Sequence, residues 1–291
     1  MMRVLVATDG SDDARTAAQW LAEFPLPADT SVLVVSVVSL PASPLDIQTV
    51  RAFKDALMDE ARAHAETLLP LLRKHVASVE SRVVAGDPRQ EIVQLAHEWG
   101  ADLVVVGARG LGAIATAVLG SVSLAVVRHV SCAVLVVRPD PRPLRTVAVA
   151  VDGSPASDHA ARFLAQFPLP ATLAMRLVGV VEPPPVPRTV SKTVIAALQD
   201  AITSITNDRR RVLAMALDRV AKQFPARVTQ ELPVGLPAET LEYVSSEVDL
   251  MVLGARGLGP VKRLLLGSVS ERVLRHASCP VLIVHEPSAA S

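Results

Sequence analysis

Apolar residues along the chain gather into short runs of Val, Leu and Ala, each followed by a longer stretch in which they recur every three or four positions. Runs such as RVLVAT at 3–8 and SVLVVSVV at 31–38 are apolar on both alternating faces, the pattern of strands covered by helices on both sides. The first half predicts strands near 3–8, 31–38, 79–84, 102–107 and 133–137, separated by helices near 12–23, 46–76, 88–99 and 119–129. The second half predicts strands near 146–151, 173–181, 226–232, 249–254 and 280–284. Pro70 is expected to kink the second helix. Alternating strands and helices imply right-handed crossovers and a parallel, doubly wound α/β sheet. Ligands of such sheets bind beyond the carboxyl ends of the strands, where the strand order reverses.

The two halves are one unit written twice. Residues 102–137 and 249–284, laid over each other without a gap, match at 22 of 36 positions, which marks duplication and not shared composition. VATDGS at 6–11 returns as VAVDGS at 149–154, and FPLPA at 24–28 returns at 167–171. The second copy has gained a few residues in its middle. RPDPRPL at 138–144 suits a short, stiff linker between a domain at 1–138 and a domain at 145–286.

Composition narrows the function. The 29 basic and 29 acidic side chains cancel, and aromatics make up only 3%, so neither a basic groove nor a stacking platform for nucleic acid is expected. The most apolar stretch, Val32 to Leu40, is interrupted by Ser36 and Ser39 and stopped by Pro41, so no membrane partner is expected. The first residues lack the length and cleavage site of a secretory signal, which points to a cytoplasmic protein. Cys132 and Cys279 occupy matching positions and read as small buried hydrophobes.

The candidate chemistry lies after the strands. Gly107-Ala-Arg109-Gly110 follows the fourth strand, and nine residues later Gly120-Ser121-Val-Ser123 opens a helix; Gly254-Ala-Arg256-Gly257 and Gly267-Ser268-Val-Ser270 repeat this. Glycines let a polyphosphate approach the backbone and permit positive φ, while a Gly-Ser step sets helix-start amides and a hydroxyl against an anion. A glycine turn that only caps the helix is the competing reading, weakened by two intact copies. The four serines are candidate phosphate or metal ligands. Asp9 and Asp152 follow the first strand of each copy, placed to face the glycine loop or simply to cap a helix. Arg109 and Arg256 are better candidates for phosphate contact than Lys262 and Arg263, which read as a solvated basic face where the first copy has Ala115 and Thr116. The sequence has no Walker loop, zinc spacing or nucleophile elbow, and no evident general base, so at most weak hydrolysis is expected.

These residues resemble the universal stress protein family. The strand-end Asp, the G-x2-G-x9-G-S motif followed by V-S, and endings such as VLRHASCPVLIV are similar to its ATP-binding members, and the duplication resembles its tandem-domain members. The resemblance implies five-stranded sheets of order 3-2-1-4-5, with the fifth strands of the two domains pairing. It implies phosphate contacts at Gly107, Gly110, Gly120 and Ser121 and at Gly254, Gly257, Gly267 and Ser268. Adenosine contacts carry over to Asp9 and Val37 and to Asp152 and Val180. ATP is the implied ligand, with Mg2+ and a homodimer left open, and a stress-response regulator with ATP as bound effector is the implied function. A slow ATPase or phosphotransferase, or a scaffold that binds no nucleotide, are the alternatives. The proline-rich loops 39–46 and 182–190 are the segments expected to change with nucleotide.

Overall fold

The computed structural model describes residues 1–39, 47–111, 119–185, 191–221, 228–258 and 266–286. Lys262 and Arg263, most of loop 39–46 and the second half of loop 182–190 lie outside the described residues. The chain divides into two compact units, Met1–Pro143 and Leu144–Glu286.

The first unit runs β1 (Arg3–Thr8), α1 (Asp12–Glu23), β2 (Ser31–Val38), α2 (Ile47–Leu72), β3 (Ser78–Ala85), α3 (Pro88–Trp99), β4 (Leu103–Gly107), α4 (Ser121–His129) and β5 (Ala133–Val137). Its strands are parallel in the order β3-β2-β1-β4-β5, as the family resemblance implies. The second unit runs β6 (Thr146–Ala150), α5 (Pro155–Leu164), β7 (Ala174–Val178), α6 (Lys192–Ala221), β8 (Val228–Glu231), α7 (Pro237–Ser245), β9 (Leu250–Gly254), α8 (Ser268–His276) and β10 (Val281–Val284). Here the parallel order is β8-β7-β6-β9-β10.

Burial follows position in the sheet. Every residue of β4, β5 and β9 is buried, whereas the edge strand β3 is half-exposed along its length. Leu5, Leu21, Leu103 and Leu135 fill the first core, and Leu164, Met175, Leu177, Leu213, Leu250 and Leu274 the second. Each such side chain removed from water contributes about 1.5–3 kcal/mol, and the lack of aromatics leaves this work to Leu and Val.

Local chemistry sets the ends. Ser11 and Ser154 accept from the amides of Ala14 and Ser157 and so cap α1 and α5, while Pro88, Pro155 and Pro237 stand in first turns where a missing N–H costs nothing. The α2 helix continues past Pro70 to Leu72 and tightens into a 3-10 turn at Arg73–His75, short of the expected end only by this change of pitch. The strand expected at 173–181 runs only over Ala174–Val178; beyond it the amides of Gly179 and Val181 still donate to the carbonyls of Glu231 and Pro233, and an isolated bridge pairs Val181 with Val234.

The order places a switch point between β1 and β4, and between β6 and β9. Val4, Leu5 and Val6 sit opposite Leu103, Val104 and Val105, so the ends of β1 and β4 emerge together; Val147–Val149 and Leu250–Val252 do the same.

Candidate functional site

At each switch point the strand-end carboxylate holds the glycine loop. Asp9 accepts from the amides of Ser11 (3.0 Å) and Leu111 (2.8 Å), tying the turn after β1 to the loop after β4. Asp152 repeats this with Ser154 (2.9 Å) and Leu258 (3.2 Å). Both aspartates therefore face the loop, as their position in the sequence suggests, and each also orders the turn that leads into a helix cap.

The motif glycines divide into two kinds. A Cβ on Gly107 would stand 2.7 Å from the backbone carbon of Asp13, and one on Gly254 2.6 Å from that of Ala156, so these two let the start of α1 or α5 press against the strand end. A Cβ on Gly110 or Gly257 would run into the carboxylate of Asp9 or Asp152. Positive φ, expected of the glycine loops, is absent from the described ones; it occurs at Gly10 and Gly153, in the turns after β1 and β6. Close approach is what the loops require, and the tight turn beside the aspartate is where left-handed backbone is needed.

Beyond the loop, α4 and α8 start at Gly120 and Gly267 without a side-chain cap, which leaves first-turn amides for another partner. Ser123 and Ser270 are buried and donate to the carbonyls of Gly107 (2.7 Å) and Gly254 (2.8 Å), fastening the helix to the strand end. Their hydroxyl hydrogens are engaged there, leaving only lone pairs for a ligand. Ser121 and Ser268 are the first residues of those helices.

In the second unit these pieces enclose a cavity of about 670 Å³. Asp152, Val180, Gly254, Arg256, Gly257, Gly267, Ser268 and Ser270, drawn from four separate stretches of sequence, all line it. Val151, Val178, Leu241 and Leu253 supply an apolar wall. The sequence reading missed Arg209 of α6, which lines the cavity and donates to the backbone carbonyl of Asp152. Its signal was available: Leu213 and Ala216, four and seven positions on, form the buried stripe of the same helix, and an arginine on that stripe points inward. Glu182 and Glu286 also line the cavity. Burial, with Arg162 acting the same way, holds the His159 imidazole below its ordinary range, while Glu286 opposes them.

The first unit differs. Arg109 is turned to α1, where its amide (3.0 Å) and Nε (3.2 Å) both donate to Asp13, a mostly buried carboxylate. Val37 stands half-buried near the end of β2, one step beyond the Thr8–Ser36 pair, as is Asp9 on β1. Cys279 is buried as the sequence suggests, whereas Cys132 keeps partial exposure, though burial still pushes its thiol up to about 12; neither forms a disulfide.

The fold and its two switch-point loops define a duplicated, doubly wound α/β protein. The universal stress protein family model matches residues 1–138 and again 143–285, and the chain belongs to that family, with two of its domains in tandem. Universal stress protein Rv2005c of Mycobacterium tuberculosis is 30% identical over 97% of both chains, and a universal stress protein of Mycolicibacterium smegmatis is 26% identical over 97% of this chain and 96% of its own. The fold is that of a universal stress protein from Archaeoglobus fulgidus, with a TM-score of 0.68 at 21% identity over 99% of this chain and 97% of that one. Among the described residues no helix is long and apolar enough to cross a membrane.

Proposed function

We propose that this protein binds ATP at its switch points and that the nucleotide acts as an effector in a cytoplasmic stress response. The convergence of the second copy's candidates on one cavity carries this reading. The cavity pairs an apolar wall at Val178 and Val180 with a glycine cradle and an uncapped helix start, the combination that a base and a polyphosphate require. Mg2+ enters, in this reading, with the triphosphate.

An effector role follows from how the polar groups are used. The strand-end carboxylates Asp9 and Asp152 each accept two amides, and the buried serines fasten helix to strand, so these groups hold a binding surface and are not poised to activate water. The expected turnover is well below about 1 per second. Calorimetry on the purified chain should show binding of ATP in preference to GTP, and denaturation should release adenine nucleotide. No heat at about millimolar ATP would overturn the proposal.

A further inference from the structure

No aromatic side chain is among the described residues that line the cavity of the second unit. Its apolar end is built at β7, from Val178 and Val180, and its glycine cradle at β9 and the start of α8, with the Asp152 turn of β6 between them as the strand order requires. Charge does not tell the polar residues of this cavity apart, because Arg209 and Arg256 are set against Asp152, Glu182 and Glu286. Position does. Arg256 belongs to the glycine loop, whereas Arg209 comes from α6 on the side of the apolar end. Leu213, one turn further along that helix, reaches to 3.3 Å from where a Cβ on Gly179 would sit, between the two wall valines, and Val212 stands 3.1 Å from the corresponding point on Gly153. The guanidinium of Arg209 donates to the backbone carbonyl of Asp152, at the edge of the same wall. In the first unit His64 covers Gly10 as Val212 covers Gly153, and three residues before it lies the buried Ala61, so the arginine is a feature of the second site.

A guanidinium is a planar cation whose N–H groups bond within its plane, which leaves its faces for a π system. The bond to the Asp152 carbonyl restrains that plane and still leaves the faces open. A base laid against Val178 and Val180 needs a second wall to leave water completely, and carboxylates make a poor one because an aromatic face is itself electron-rich. We infer that Arg209 is the base-stacking residue of the second site, closing over a ring held against the end of β7. It favours purine over pyrimidine nucleotides, since the larger ring offers more face to the cation. This rests on the nucleotide reading above and names the side chain through which that site recognises the base.

Calorimetric titrations of the full chain with ATP and with UTP, which carry the same triphosphate, test it. Arg209→Lys keeps the charge and a donor for the carbonyl but loses the plane, and Arg209→Ala loses all three. Both variants should weaken one ATP-binding event by about five- to tenfold and UTP binding by less than about twofold, with urea midpoints unchanged. A lysine variant with wild-type ATP affinity beside a weakened alanine variant would make Arg209 a point charge for the phosphates. Equal losses of ATP and UTP would make it a phosphate or purely structural contact, and no loss in either variant would put it outside the site. Each of these results overturns the inference and leaves ATP binding standing, whereas a wild-type chain that binds neither nucleotide would overturn both.

Discussion

At Gly107 and Gly254 the side chain that is missing matters more than any that is present. A methyl group there would stand within 3 Å of helix backbone, which cannot rotate aside as a flexible side chain can. Gly107→Ala and Gly254→Ala should therefore each destabilise the fold by roughly 1–3 kcal/mol, read as a lower urea midpoint with unchanged slope. If either variant binds ATP more weakly yet melts like wild type, the glycine serves the ligand and not the packing. The sequence makes these glycines legible as special but not the reason: their spacing from Gly110 and Gly257 suggests a phosphate loop, whereas the contact that requires them is with residues nearly a hundred positions away. Asp13 was hidden for the same reason, since in sequence it is one more acidic residue in the first turn of a helix, where the dipole favours it.

Among the elements, the short strands and the helices α1, α3 and α4 fall within a few residues of where the apolar pattern puts them, because each has its stop signals close by. The long helices are the part read least well. The α2 and α6 helices are the most diverged pair in the duplication, so the repeat that located the loops gave no register for Arg209. The α5 helix offers a pH test. Burial holds His159 below its ordinary value of about 6.5, so the folded state disfavours the proton that the unfolded chain accepts. Its contribution is intact above that ordinary value and is lost as pH falls through the lowered one. Urea unfolding between about pH 7.5 and pH 5 should show stability falling with acid, and His159→Gln should flatten part of that fall. A variant with the wild-type slope would show that other groups govern it.

Across the whole molecule, a duplicated chain with two compact units and two loops of different charge should respond to nucleotide in two stages. A ligand that binds only the folded state stabilises it by RT ln(1 + [L]/Kd), about 2.7 kcal/mol at a hundredfold excess over Kd, which slows exchange of protected amides roughly a hundredfold. If Lys262 and Arg263, which stand where the first copy has Ala115 and Thr116, strengthen the second site, amides of β6, β9 and the first turn of α8 should gain protection at lower ATP than those of β1, β4 and the first turn of α4. Hydrogen exchange followed through an ATP titration resolves the two units in one sample. The gap between the two midpoints should narrow with AMP, because added cations favour the ligand with more charge, and it should narrow again in a Lys262→Ala, Arg263→Ala double variant at fixed ATP. Raising salt should shrink it as well, because counterions screen the added charge. Protection that rises in both units at one ATP concentration would mean that the duplicated loops work alike despite their different neighbours, and that the effector reads the protein as a single site class.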